Sequence, residues 1–277
     1  MPEGDTVYQT AKRQNEALAG QVLSGFELRV PKFAAADLTG GTVHEVVSVG
    51  KHLFHRIGDW SLHSHLKMEG TWRLVRPGER WPRPAFQARA VLHTASITSI
   101  GFELGITELL PRDEEHTVTD RLGPDLLGPD WNPASAAEAA RRLEAHPDDP
   151  VFAAVLDQTN LTGVGNVYAN ELCFLRGILP TTPMAEVDAA AVVSLARRLL
   201  LANRDRVSRV TTGDTRPGRR SWVYGRTGQP CLRCGTTLLG GELGKPGQER
   251  VDTWSRFSTG EHWNIGGNAT ATELPLH

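Results

Sequence analysis

Cysteine is scarce in this chain, which has 3 cysteines among its 277 residues. So few thiols exclude the dense disulfide framework that stabilises small secreted domains, and they favour a reducing compartment. They are also one short of the four thiolates of an all-cysteine zinc site. The cysteine count therefore indicates an intracellular protein in which any zinc site would need other ligands.

Long hydrophobic runs are also absent. The most apolar stretch, residues 189–201, contains Arg197 and Arg198 and is shorter than the roughly 20 apolar residues that span a bilayer. The N-terminus has no basic region followed by an apolar core, which a secretory signal would need. We therefore expect a cytoplasmic protein with no membrane partner.

No large excess of either charge is present, since 30 basic and 32 acidic residues give a net charge of −2. That total argues against nucleic acid, because DNA-binding domains are usually basic. However, residues 103–149 hold 12 acidic residues and 4 arginines, whereas residues 197–233 hold 10 arginines and 2 acidic residues. The basic segment places Arg219 and Arg220 beside Trp222, which suits either a solvated surface or a phosphate backbone.

The remaining composition is that of a globular protein, with 39% hydrophobic and 22% charged residues. It excludes disordered, collagen-like and coiled-coil chains. A chain of this length predicts about two domains with a small appendage.

The first part of the chain, residues 1–125, has short segments of partial alternation separated by Gly, Pro or Asp, which predicts a β-sandwich. A helix precedes the strands; Asp5 or Thr6 can cap it and Gly20 ends it. The helix has a common apolar face made of Val7, Ala11 and Leu18. The predicted strands are 43–49, 52–57, 62–66, 71–75, 88–93 and 97–104.

After a Gly/Pro/Asp-rich linker at 126–133, the hydrophobic period becomes helical. The predicted helices are 134–145, 151–157, 165–175 and 188–204, the last capped by Asp188. We therefore predict an α+β multidomain fold. Its parts are a catalytic β-sandwich domain (1–125), a helical DNA-binding domain (134–222), and a small cysteine-containing module with a tail (223–277).

Pro2 and Glu3 are the first candidates for chemistry. Removal of Met1 would expose the secondary amine of Pro2, and an α-amino group has a pKa near 8, against about 10.4 for lysine. Such an amine can form a Schiff base with an aldehyde-like carbon, and Glu3 can act as an acid or base beside it. Met-Pro-Glu also begins many unrelated chains, so this pair alone does not establish an active site.

Two predicted loops carry further candidates. Lys51 follows Gly50 in a tight turn, where it is either a phosphate contact or an ordinary surface lysine. Lys67 and Met68 lie in the loop after residue 66. Met68 is either an exposed wedge that enters a base stack or a side chain that folds into the core.

The segment from Gly163 to Glu171 places a Gly-x-Gly-Asn sequence at the start of a helix. The free N–H groups of such a turn, with the Asn166 amide, form an anion site suited to a backbone phosphate. With the preceding helix, the segment predicts a helix–two-turn–helix unit.

Cys231 and Cys234 form a C-x-x-C pair typical of half a zinc site. No second cysteine pair follows. Ser255 and Ser258 stand at the same spacing, and His262 is a further candidate ligand. Neutral serine is a poor zinc ligand, so zinc is possible but doubtful, and we predict no other cofactor.

Together these motifs resemble one family over nearly the whole chain, the formamidopyrimidine-DNA glycosylase / endonuclease VIII family of base-excision repair enzymes. The resemblance implies an N-terminal β-sandwich, a helix–two-turn–helix domain and a C-terminal zinc-finger-like β-hairpin, with damaged DNA as the partner. The residues that carry this resemblance are Met1-Pro-Glu-Gly4, Gly50-Lys51, Leu161 to Glu171 in the pattern L-x-G-x-G-N-x-Y-x-x-E, and Arg226 to Gly235 in the pattern R-x-G-x-P-C-x-x-C-G.

The resemblance also implies roles for individual residues. Pro2 would attack C1′ of a flipped, damaged nucleotide and form the Schiff base, and Glu3 would protonate the opened sugar. Lys51 would be the proton donor for β-elimination, and Arg250 would serve δ-elimination. The implied DNA contacts are Lys67, Met68 as the void-filling wedge, Arg121 and Asn166.

Two departures from the 8-oxoguanine branch favour oxidised pyrimidines as substrates. The loop at 203–224 is short where that branch caps the purine, and residues 101–108 lack its arginine-bearing Phe-Asp motif. Alternatives are an 8-oxoguanine or formamidopyrimidine glycosylase, or a catalytically weak relative that only binds damaged DNA, as the missing distal cysteines would suggest. We expect a monomer that acts on duplex or single-stranded DNA.

Overall fold

The computed structural model describes residues 2–243 and 251–256. The chain divides into two compact units. The first contains residues 1–132 and 161–163, and the second contains residues 133–160 and the chain from 164 onward. Within the described residues, no helix is both long enough and apolar enough to cross a membrane.

The first unit contains one long helix, eight strands and a short helix. In chain order they are α1 (Gly4–Leu18), β1 (Gly25–Leu28), β2 (Val43–Val49), β3 (His52–Ile57), β4 (Trp60–His65), β5 (Thr71–Val75), β6 (Ala88–His93), β7 (Thr98–Phe102), β8 (Ile106–Pro111) and α2 (His116–Thr119). Short 3-10 turns lie at Pro31–Phe33, Ala85–Gln87 and Arg112–Glu114.

Two antiparallel four-stranded sheets organise this unit. One has the order β1-β6-β7-β5 and the other the order β2-β3-β4-β8. Their shared core contains apolar side chains from both sheets and from α1, because the alternation of each strand turns one row of residues inward. The largest of these fully buried side chains include Leu18, Leu23, Leu53, Ile57, Leu62 and Leu92.

The second unit is helical before its last two strands. Its elements are α3 (Pro133–Glu144), α4 (Val151–Leu156), α5 (Asn166–Arg176), a 3-10 turn at Met184–Glu186, α6 (Ala189–Asn203), β9 (Leu239–Leu243) and β10 (Val251–Arg256). Helix α3 packs on α6, and α4 on α5. Gly177 ends α5 in the left-handed conformation, at φ 69°. The Asp188 side chain caps α6 by accepting the Ala191 N–H at 2.9 Å.

Most predicted elements are present with bounds close to those expected from sequence. The strands at 43–49, 52–57, 71–75 and 88–93 have the expected bounds, and all four helices of the second unit are found within about one residue of prediction. The cap of α1 was predicted wrongly, because the helix begins at Gly4 and Glu3 occupies the N-cap position. Strands β1 and β8 were not predicted.

Candidate functional site

The N-terminus is fixed against the returning segment 161–163 of its own unit. The Gly4 N–H donates to the Gly163 carbonyl at 2.8 Å. A Cβ on Gly4 would lie 2.9 Å from Gly163 Cα, so only glycine permits this approach. Glu3 is fully buried at the start of α1, and Pro2 is half-buried before it. The chain therefore holds its candidate nucleophile and candidate acid side by side.

The turn that carries Lys51 is held by the neighbouring residue of the same segment. Gly50 has φ 57°, and a Cβ there would lie 2.0 Å from the Thr162 hydroxyl oxygen. The Gly50 N–H donates to Asp125 Oδ2 at 2.9 Å, and the Thr162 N–H donates to the Pro124 carbonyl at 3.0 Å. The N-terminus and the Lys51 turn thus converge on two consecutive residues, Thr162 and Gly163.

Asp5 is a second carboxylate in this neighbourhood. It is 2% exposed in the first turn of α1, and its Oδ1 accepts the Thr6 N–H at 2.7 Å. From the sequence, Asp5 was predicted only as a possible helix cap. The structure instead places it inside the first turn of α1, as a buried carboxylate two residues after Glu3.

Lys67 and Met68 lie at the tip of the loop between β4 and β5. Lys67 is exposed in the left-handed conformation, at φ 50°, and its N–H donates to His65 Nδ1 at 2.9 Å. Met68 is 54% exposed. Burial of Met68 in the core was therefore the wrong alternative, and the position fits an apolar wedge. Arg121, beyond α2, is also exposed.

A row of polar side chains occupies the outer face of the second sheet. His52 lies on β3, His63 and His65 on β4, and Glu108 on β8, at positions that the strand register places on one face. His52 Nδ1 and His63 Nε2 are 2.8 Å apart, and His63 Nδ1 is 2.7 Å from Glu108 Oε1. None of these four residues was assigned a role from the sequence. Their two-residue spacing, His52-x-Phe54 and His63-x-His65, was the available signal.

Asn166 begins α5 in the second unit and is 4% exposed. Gly165 occupies the N-cap position in an extended conformation, as an anion-binding turn requires. Asn170 Nδ2 donates to Asn166 Oδ1 at 2.9 Å, which fixes the orientation of the Asn166 amide. The helix therefore begins at Asn166, as predicted from the sequence, and the binding of a phosphate there stays a prediction.

Glu171, in the same helix, is a fully buried carboxylate that gathers four donors. Its Oε1 accepts the N–H groups of Val223 and Tyr224, both at 2.9 Å. Its Oε2 accepts the Trp222 N–H at 2.8 Å and the Thr211 hydroxyl. Burial raises the pKa of Glu171, while these four donors oppose that rise. Glu171 thereby fixes the chain just before the cysteine pair.

The arginine-rich loop after α6 is internally paired to a large extent. Asp214 Oδ2 lies 2.6 Å from Arg216 Nη2 and 2.8 Å from Arg219 Nε. Arg220 Nε donates to the Thr215 carbonyl at 2.9 Å. These arginines therefore carry less uncompensated charge toward a phosphate backbone than their number in the sequence suggests.

Cys231 and Cys234 lie in a tight knuckle on a small core of the second unit. Cys231 packs with Phe174, Val223 and Leu238 and is buried, whereas Cys234 is exposed. The Arg233 N–H points at Cys231 Sγ at 3.4 Å, and Cys234 Sγ lies 3.4 Å from Thr236 Oγ1. Hydrogen bonding to Thr236 lowers the pKa of Cys234. Such thiols suit a metal, and they form half of a four-ligand set.

Among the described residues, no group of three or more His, Cys, Asp or Glu side chains is arranged to hold a metal ion. Ser255 lies in β10, opposite Gly240 of β9. Three candidates, Arg250, Ser258 and His262, lie outside the described residues. The zinc site thus stays a prediction, as does the role of Arg250.

Known proteins resemble this chain in sequence. Residues 1–104 match the model of the formamidopyrimidine-DNA glycosylase N-terminal domain. A relative named DNA-(apurinic or apyrimidinic site) lyase Nei2, from Mycolicibacterium smegmatis, is 51% identical over 255 residues, which cover 92% of this chain and 97% of the relative. A protein named probable endonuclease 8 2, from Streptomyces coelicolor, is 48% identical over 259 residues, 92% of each chain.

Solved structures resemble it in fold. A complex between the LlFpg protein, a THF-DNA and an inhibitor matches with a TM-score of 0.74 at 21% identity and covers 92% of this chain and 97% of that chain. The structure of MutM with DNA that contains carbocyclic 8-oxo-G matches with a TM-score of 0.72 at 20% identity. This match covers 92% of this chain and 98% of that chain. At these identities the likeness concerns the fold.

Proposed function

Because the chain belongs to the formamidopyrimidine-DNA glycosylase / endonuclease VIII family, we propose that it is a DNA glycosylase with apurinic/apyrimidinic (AP) lyase activity that acts in base-excision repair. The observation that carries this proposal is the 51% identity, over 92% of the chain, to a relative named as an AP-site lyase. The geometry supports it, since the buried Glu3 adjoins Pro2 and both are fixed by the Gly4–Gly163 contact.

The proposed chemistry uses the N-terminal amine. The deprotonated nitrogen of Pro2 attacks C1′ of the damaged nucleotide, the glycosidic bond breaks, and the base departs with its electron pair and a proton. Glu3 protonates O4′ as the sugar ring opens, which leaves an iminium between C1′ and Pro2. Loss of a C2′ proton then expels the 3′ phosphate in β-elimination, and the 5′ phosphate follows in δ-elimination.

Other residues would bind and orient the DNA. Lys51, on the turn held by Thr162, would contact a phosphate and donate a proton during β-elimination. Lys67 and Arg121 are exposed cations suited to the backbone, and Asn166 would present its amide to a phosphate at the start of α5. Met68 would fill the space left by the extruded nucleotide.

We propose oxidised pyrimidines rather than 8-oxoguanine as the substrate class. The loop that follows α6 is short and fastened to itself and to α5, through the pairing of Asp214 with Arg216 and the Thr211–Glu171 contact. A loop bound in this way is poorly suited to close over a purine. The names of two relatives, which are both called endonuclease 8, agree with this choice.

No step is assigned to zinc. The described residues supply the thiols of Cys231 and Cys234, which fit half of a tetrahedral site. A zinc ion held there would order the knuckle and would contribute no reacting group. Metal analysis of the purified protein tests the site directly, and a stoichiometric zinc signal would require distal ligands beyond the described residues.

Borohydride trapping tests the proposed function. Duplexes that carry thymine glycol, 5-hydroxyuracil, 8-oxoguanine or an abasic site are incubated with the protein, and reduction converts any iminium to a stable adduct. We expect adducts with the pyrimidine lesions and the abasic site, and we expect their loss in Pro2→Ala but not in the surface control Pro82→Ala. Tight binding without an adduct on any lesion would instead identify a protein that only binds damaged DNA, and an adduct confined to 8-oxoguanine would refute the pyrimidine preference.

A further inference from the structure

Three side chains on neighbouring strands form a continuous hydrogen-bonded chain that ends at the residue after Lys51 in sequence. Glu108 lies on β8, His63 directly opposite it on β4, and His52 at the start of β3, next in sequence to Lys51. The links measure 2.7 Å from Glu108 Oε1 to His63 Nδ1 and 2.8 Å from His63 Nε2 to His52 Nδ1. Both are ordinary hydrogen-bond lengths.

The direction of this chain follows from the chemistry of its first member. An ionised carboxylate only accepts hydrogen bonds, so His63 must carry its proton on Nδ1. In the neutral ring, His63 Nε2 is then an acceptor, and His52 must donate from Nδ1. His52 Nε2 is consequently left without a proton. The Glu108 carboxylate therefore determines the tautomer of His52 through the intervening His63.

The surroundings keep these rings neutral. His63 is 1% exposed, and its ring stacks on those of Phe54 and His52 with centroids 4.9 and 5.0 Å away. Burial, together with the charges of His63, His65, Arg121 and Lys51, lowers the pKa of His52 to about 3.

The pKa of His63 is subject to opposing effects. Burial also lowers the pKa of His63, although Glu108 and Glu115 oppose that shift. The charged and titratable groups that act on His52 and His63 are Lys51, His65, Glu108, Glu115 and Arg121. His52 therefore remains uncharged next to several cations.

We propose that Glu108, His63 and His52 form a tautomer-fixing relay that makes His52 Nε2 a permanent hydrogen-bond acceptor and so positions the Lys51 ammonium. A neutral imidazole can accept a hydrogen bond from an ammonium without taking its proton, because the lysine is by far the stronger base. Lys51 would thus stay charged for a phosphate while its direction is restricted. His52 and His63 are positioning residues in this arrangement. The role rests on the proposed function, but the tautomers do not.

Nitrogen-15 NMR of histidine-labelled protein tests the relay without any substrate. We expect His52 and His63 to be neutral, with the proton on Nδ1, from pH 5.5 to 9, and assignment uses the signals lost in His52→Phe and His63→Phe. In Glu108→Ala, we expect His63 and His52 to become mixtures of tautomers, whereas Glu108→Gln should retain the wild-type pattern because its carbonyl oxygen still accepts. A protonated Nε2 on His52, or titration of His52 near pH 6.5, would overturn the relay.

Single-turnover cleavage of a preformed abasic site, measured from pH 5.5 to 9, tests its role. We expect Glu108→Ala and His63→Phe to slow cleavage about tenfold and to change the shape of the pH profile, with restoration in Glu108→Gln. The control is His55→Phe. His55 lies on β3, as His52 does, but its ring contacts Trp72 in the core, so the pH profile of cleavage by this variant should match that of the wild type. An unchanged profile in both Glu108→Ala and His63→Phe would overturn the positioning role.

The two proposals fail separately. If the wild type forms no borohydride adduct with abasic DNA, the lyase function fails, and the NMR tautomers still decide whether the relay exists. If the adduct forms normally but the tautomers or profiles disagree, the relay alone is wrong. Should His63→Phe fail to fold, the Glu108 pair suffices, because the Glu108 side chain is 37% exposed and its replacement leaves the core intact.

Discussion

Replacement of Glu171 with glutamine should destabilise the second unit by about 3 kcal/mol. The two carboxylate oxygens accept four donors, three backbone N–H groups and the Thr211 hydroxyl. Glutamine keeps one oxygen but turns an NH₂ group toward two buried donors. Each unsatisfied buried donor costs about 1–3 kcal/mol. Removal of the buried charge offsets part of that loss, since burial disfavours the ionised form.

Urea unfolding followed by tryptophan fluorescence measures this change, because Trp222 is one of the donors. Thr211→Val serves as the comparison variant: it removes one donor and leaves three, so we expect about 1 kcal/mol. The reasoning requires an ionised Glu171 in the folded protein. If Glu171→Gln unfolds within about 1 kcal/mol of the wild type, the carboxyl group does not act as a four-fold acceptor and the argument fails.

Three further predictions concern other parts of the chain. Gly50→Ala should lower the free energy of unfolding, measured in urea, by about 3 kcal/mol, because the new Cβ clashes with Thr162 and the backbone is left-handed. Gly58→Ala is the control, since Gly58 has φ 54° with open space around it, and it should lose about 1 kcal/mol. Equal losses in the two variants would refute the clash. Burial lowers the pKa of His55 to about 3, so the unfolded chain takes up a proton at a higher pH than the folded protein does. The free energy of unfolding should therefore fall as the pH drops below 6.5, by about 2 kcal/mol at pH 5. His55→Phe should remove this part of the pH dependence, and an unchanged pH dependence in that variant would contradict the prediction. Iodoacetamide should modify the exposed Cys234 at least tenfold faster than Cys173, whose pKa burial raises to about 12, and mass spectrometry showing equal rates would contradict this.

The parts of the fold that could be predicted from sequence are those with a strong local signal. Strand β2 has partial alternation and is followed by Gly50, whereas α6 has Asp188 as a cap and an apolar face of helical period. Strand β1 is four residues long and β8 is half-buried at a sheet edge, so neither presents a clear pattern. Short and edge strands are defined by their partners, which a single sequence does not show.

The candidate site likewise contains residues that could be predicted from the sequence and residues that could not. Pro2, Glu3 and the Gly163–Asn166 segment were found because each belongs to a short motif. The relay of His52, His63 and Glu108 was missed because it depends on cross-strand register, in particular the pairing of His63 with Glu108, 45 residues apart. A motif records neighbours in sequence, whereas this chain of hydrogen bonds joins three strands.

The discontinuity of the first unit has a consequence for its assembly during synthesis. All eight of its strands are complete once residue 111 has left the ribosome. Gly163, whose carbonyl accepts the Gly4 N–H, and Thr162, against which Gly50 packs, are made only after α3 and α4. A gene cut at residue 132 would therefore encode both sheets without the residues that hold the amino end in place. The candidate nucleophile is the first residue of the unit to be made after Met1 and the last to be fixed.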